Sequence, residues 1–83
     1  MPYIHVEDRR WFNWKDVCRV PSTPGELNYL ISDICKEYLE VHGKSYHFMN
    51  EVIGALESAK LELYRRVIVP YENDKIEEHG DVY

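Results

Sequence analysis

Apolar positions recur at helical intervals in three stretches of the chain. The clearest runs from Leu27: Leu30, Ile31, Ile34, Cys35, Tyr38 and Leu39 follow at i, i+3, i+4 and i+7 steps. Ser32, Asp33, Lys36, Glu37 and Glu40 take the opposite face. That alternation describes one amphipathic helix. The stretch "PSTPGEL" supplies its start. Thr23 stands as N-cap, Pro24 at the first helical position, where a missing N–H costs nothing, and Glu26 completes a Thr-x-x-Glu capping box. Gly43 sits where a left-handed residue ends a helix. The pattern predicts a helix over about 24–42.

A second stretch opens after "GKS", with Ser45 as its cap. Tyr46, Met49, Ile53, Leu56, Lys60, Leu63 and Val67 advance by alternating three- and four-residue steps, the period of a helix packed along a seam. This predicts a helix over about 46–69, joined to the one before it by a short turn as an antiparallel hairpin. Pro70 interrupts it. A proline inside a helix removes one hydrogen bond and crowds the preceding turn, at about 3 kcal/mol. Tyr64, Val67, Ile68 and Tyr71 nevertheless keep helical spacing across it, and Gly80 offers a later C-cap. A kink at Pro70, with helix resuming to about residue 78, fits better than a stop at Val69. "GDVY" then forms an extended tail that could lie beside the "MPYI" of the N-terminus.

The third stretch, "VEDRRWFNWKDVCRV", reads as a short helix over about 7–18. Glu7 and Asp8 suit the positive end of a helix dipole, and Trp11, Trp14, Val17 and Cys18 recur at three- and four-residue steps. The expected fold is therefore all-α: a short helix, then a hairpin whose second arm is long and bent by proline.

Size changes what this pattern must achieve. A chain of 83 residues is a single small domain, of a size that buries only about 60–65% of the surface its unfolded form exposes. Domains this small often gain stability by oligomerising, and a homo-oligomer is expected here. Cys18 and Cys35 are the two cysteines, without a C-x-x-C spacing, and Cys35 falls on the apolar helix face as a packed thiol. Reduced thiols, no apolar leader and no run of membrane-span length point to a soluble cytoplasmic protein. The net charge of −5 is concentrated at the end: Glu72, Asp74, Glu77, Glu78 and Asp81 stand against Lys75 in residues 71–83. An acidic chain without a broad basic face is a poor binder of nucleic-acid backbones.

Catalytic patterns are mostly absent, and the sequence singles out no pair among its many carboxylates. His5, His42, His47 and His79 form no i, i+4 pair and have no cysteine at zinc spacing, and there is no glycine-rich phosphate loop or G-x-S-x-G. The expectation is a protein that is not an enzyme and uses neither metal nor cofactor. Four features hold other chemistry. Gly54, Ala55, Ser58 and Ala59 place small residues in mid-helix; a glycine there costs about 1 kcal/mol against alanine, which close approach of another backbone would offset. That backbone could belong to the neighbouring helix of the chain or to a second subunit. Lys60 stands on the apolar seam with Glu57 one turn away, either paired and snorkelling or fixing register between subunits. Arg65 and Arg66, flanked by Tyr64 and Tyr71 seven apart, offer guanidinium forks for an anion and rings for stacking. Glu62, three and four residues earlier, would equally make ordinary ion pairs with both. Asn28 and Asn50 carry amides able to read the edges of a base.

The segments "MPYI", "GELNYLI", "NEVIGALE", "AKLELYRRV", "PYE" and "GDVY" together resemble a family of short, uncharacterised proteins from tailed phages and bacteria. The likeness runs nearly the full length. It departs at His79, where that family carries asparagine before Gly80, and in the Trp11–Trp14 segment. The resemblance brings no catalytic residues. It implies an accessory factor that inhibits or sequesters host components, some such proteins trapping nucleotide immune signals between subunits. Two functions follow as expectations. One is the binding of a small anionic, nucleotide-like ligand at a subunit junction, with Lys60, Arg65 and Arg66 meeting its charge, Tyr64 and Tyr71 stacking, and Asn28 or Asn50 reading its edges. The other is a protein–protein adaptor or inhibitor acting on a host protein through the Gly54–Ala59 patch and the acidic tail.

Overall fold

The computed structural model describes residues 3–83. Among them there is no strand, and the helices are α1 (Pro24–His42), α2 (Tyr46–Leu63) and α3 (Val69–His79). Contacts divide the chain into two units, one ending at Gly43 and the other spanning Lys44–Tyr83.

In the first unit the tryptophan-rich segment is helical but wound as 3-10 turns, Val6–Phe12 and Trp14–Asp16, rather than as the α-helix its spacing predicts. Asn13 separates them. Its backbone lies at φ −81° and ψ 76°, outside helical space, and its amide donates to Asp16 Oδ2 at 3.1 Å. Asparagine competes with a helix in this way, by offering the chain a local bond in its place. Trp11 and Trp14 are exposed, at 72% and 42%, with the Arg10 guanidinium 5.1 Å over the Trp11 ring.

α1 starts where its cap residues indicate. Thr23 is extended, and its Oγ1 accepts from the Glu26 N–H at 3.1 Å. The return bond differs from a strict capping box. Glu26 Oε1 accepts from the Ser22 N–H, one residue before the cap, at 2.8 Å. Its other oxygen meets Arg19 Nη2 at 3.4 Å. The helix ends at Gly43, whose φ of 117° and ψ of 149° favour glycine; its N–H closes on the Leu39 carbonyl at 2.8 Å.

In the second unit Ser45 caps α2, its Oγ accepting from the Phe48 N–H. The chain then stays helical to His79, passing through a π-turn over Tyr64–Ile68. Its closing bond runs from the Val69 N–H to the Tyr64 carbonyl, five residues back. In a regular α-helix the Pro70 ring would press on the carbonyl four residues back, at Arg66, and its missing N–H would leave that carbonyl without a donor. The widened turn lies immediately before the proline, where it eases the contact of the ring with the carbonyl behind it, and α3 continues without a cis bond. Gly80, at φ 86°, ends α3, and Gly80–Tyr83 is non-helical, turned by a bond from the Tyr83 N–H to Asp81 Oδ1 at 2.9 Å. Of the N-terminal "MPYI", Met1 and Pro2 lie outside the described residues, and Tyr3 and Ile4 are non-helical.

Neither unit has a core of its own. No side chain among the described residues is buried, and the apolar stripes are open: Leu27, Ile34 and Val41 on α1 and Ile53 and Leu63 on α2 are all more than half exposed. Both cysteines are free thiols at half-buried positions.

Candidate functional site

The π-turn gathers the charged residues that the sequence singles out. Glu62, on the last turn of α2, holds both arginines. One carboxylate oxygen takes Arg65 Nη2, and the other takes Arg66 Nε at 3.3 Å. The Glu62 side chain is 23% exposed, against 67% and 69% for the arginines. A carboxylate tucked against the helix therefore carries two guanidinium groups outward. One negative and two positive charges leave a net positive spot. Exposed pairs of this kind contribute about 0.2–1 kcal/mol each, so their value lies more in placing the guanidiniums than in stability.

The neighbouring candidates are placed less tightly. Lys60 Nζ pairs with Glu57 at 3.5 Å, one turn before the arginines. Tyr64 and Tyr71 are 49% and 61% exposed. The π-turn spends about one more residue per turn than an α-helix, so seven steps no longer bring Tyr71 back above Tyr64; it is carried round by about 100°. Tyr71 meets Lys75 instead, whose Nζ lies 5.5 Å over the ring, an i, i+4 pairing that the spacing of the two residues could have revealed. Asn50 precedes Tyr64 by fourteen residues, about 21 Å along a helix, and does not join the arginines. Asn28 is on α1, in the other unit.

Gly54, Ala55, Ser58 and Ala59 all lie on α2. At 100° per residue, Ala55 and Ala59 border the apolar face, while Gly54 and Ser58 fall on the polar side. A Cβ built on Gly54 meets nothing within 4 Å in its own unit. Gly54→Ala should therefore raise stability by about 0.5–1 kcal/mol through lost backbone freedom in the unfolded chain. Denaturant unfolding measures this; a loss of stability would mark a second backbone lying against the glycine.

Concave features occur in both units. In the first unit Trp14 and Pro21 border a groove of about 220 Å³ along α1, floored by Leu27, Leu30, Ile31 and Ile34. Pro21 is the lining residue that helical periodicity could not supply, since it lies in the connection. In the second unit the tail turns beside the end of α3, where Ile76, His79, Val82 and Tyr83 line an open cleft. Among the described residues no three His, Cys, Asp or Glu side chains gather as a metal site, and no helix is long and apolar enough to cross a membrane.

No curated protein and no solved structure matches the chain. A family model described as a domain of unknown function (DUF6899) matches residues 1–82, in line with the resemblance to an uncharacterised family, and the chain belongs to that family.

Proposed function

We propose that this protein acts by binding another protein chain: it is a small helical adaptor or inhibitor whose apolar helix faces are completed by a partner. The observation that carries this reading is that neither unit, taken by itself, buries a side chain among the described residues, so its own residues leave the apolar face of α1 or of α2 uncovered. Hydrophobic burial is the main favourable term in folding. Units of about forty residues, their cysteines free thiols, sit at the limit below which a chain needs outside help. The acidic tail adds a charged rim suited to a basic partner surface. In a phage or bacterial cytoplasm, such a module would serve as an accessory factor acting on a host protein. Amide exchange tests this reading. At nanomolar concentration the lone chain should exchange rapidly throughout α1 and α2, since local stability follows burial. Strong protection in both helices under those conditions would overturn it.

A second reading rests on one specific arrangement, the outward pair of arginines braced by Glu62 at a π-turn; π-turns recur at functional sites. Here the chain sequesters a small anionic, nucleotide-like ligand, such as a host immune signal, at a junction between subunits. Lys60, Tyr64 and Tyr71 would complete the site. Thermal unfolding against nucleotides, cyclic dinucleotides and NAD-derived signals separates the two readings. A ligand at a hundred times its dissociation constant adds about 2.7 kcal/mol. The midpoint should rise by on the order of 10 °C with one class, and Arg65→Ala with Arg66→Ala should remove the shift. A flat panel returns the arginines to surface ion pairs.

A further inference from the structure

The donors that Glu62 leaves free on its two arginines bear on the shape of an anionic ligand. A guanidinium carries five N–H donors in a fixed fork geometry. Glu62 engages Nη2 of Arg65 and Nε of Arg66. With Nε taken, Arg66 keeps both terminal nitrogens, a complete fork for one oxyanion. Nη2 of Arg65 carries two hydrogens, so its bond to Glu62 leaves that arginine a fork as well. All three residues belong to the unit spanning Lys44–Tyr83 and to one continuous helical run.

The two forks are splayed. Arg65 and Arg66 follow Glu62 by three and four residues, which at about 100° per residue places one on either side of it. Each takes a different oxygen of the carboxylate. A single phosphate reached by both arginines would be drawn against that carboxylate, where like charges repel. An oxyanion on each fork avoids the conflict. The charge count points the same way. Because Glu62 offsets part of both positive charges, each fork suits a singly charged oxyanion better than the double charge of a terminal phosphate.

We infer that the ligand of this site carries two singly charged oxyanions on one body, and that Arg65 and Arg66 take one each while Glu62 holds their forks apart. The inference rests on the anion-binding reading and names its ligand class. The shared chemistry is a pair of phosphodiesters, either set apart on the ligand or joined through one oxygen as a diphosphate.

Titration calorimetry on the full chain tests it, with a cyclic dinucleotide and NAD as two-oxyanion probes and a cyclic mononucleotide as the one-oxyanion control. Arg65→Ala and Arg66→Ala are made singly, and circular dichroism confirms that each keeps the parent's helicity. A two-oxyanion probe should lose about 10- to 100-fold in affinity with either variant, the worth of one charged fork. The cyclic mononucleotide should bind more weakly and lose only about twofold, because the remaining fork serves it equally well. Binding of the dinucleotide alone sets the two oxyanions apart, and binding of NAD alone joins them; either result supports the inference. A mononucleotide that loses as much as the larger probe with each variant overturns it, since both arginines then share one phosphate, and leaves the anion-binding reading standing. A steep loss confined to one arginine overturns it in the same way. No binding of any probe at millimolar concentration defeats both.

Discussion

Leu56→Asp should abolish the ordered fold and leave a chain of weak helicity. Leu56 sits near the centre of the apolar face of α2 and is among its less exposed large side chains, at 38%. Truncating such a leucine to alanine costs about 2–5 kcal/mol. An aspartate adds the cost of a carboxylate taken out of water without a partner. A domain of this length commands roughly 4–12 kcal/mol in all, so the substitution consumes most or all of it. Circular dichroism should lose most of its helical signal. Asn50→Asp, on the polar face of the same helix, should stay within about 0.5 kcal/mol of the parent. A folded Leu56→Asp chain would mean that the apolar face of α2 stays in water.

Deleting Val67 should cost about 3 kcal/mol. The π-turn holds one residue more than an α-helical turn would, and Pro70 is the reason that extra residue is useful. Without Val67 the register closes to i, i+4, and the proline ring again meets the carbonyl of the residue four before it. The same deletion made together with Pro70→Ala should cost much less, because an alanine at that point donates its N–H and fits a regular helix. The two changes should therefore be strongly non-additive, as coupled neighbours are. Guanidinium unfolding of the parent, both single variants and the double variant gives the coupling directly. Additive losses would mean that the π-turn and Pro70 are unrelated neighbours in the chain.

This pair of residues also shows where the sequence stops being informative. Helix α1 could be read from it because both ends announce themselves in side-chain chemistry: Thr23 and Glu26 at one, and a glycine at positive φ at the other. Continuation of the chain through Pro70 could be argued from the spacing of Val67, Ile68 and Tyr71. The π-turn could not, because no residue type demands it. It arises from a proline acting backward on a helix already under way. Once it is present, the seven-residue interval from Tyr64 to Tyr71 loses the meaning it has in an α-helix. The ion pairs of Glu62 with Arg65 and Arg66 were legible, since three- and four-residue spacings face each other on any helical turn. The tryptophan segment was misread as α-helix for a different reason. Trp11 and Trp14 have helical spacing, yet Asn13 between them prefers its own bond to Asp16.

The bracket at the start of α1 bears on how the family tolerates change in length and composition. Glu26 grips the Ser22 backbone and the Arg19 side chain at the same time. Only the N–H of Ser22 is used there, so many residues can stand at that position, although proline, which has no N–H to give, cannot. The distance between Arg19 and Glu26 is a different matter. An inserted or missing residue within it would pull the guanidinium, the N–H or the cap out of reach. Among homologues this loop should drift in sequence at Ser22 while keeping a constant number of residues, and alignment gaps should fall elsewhere.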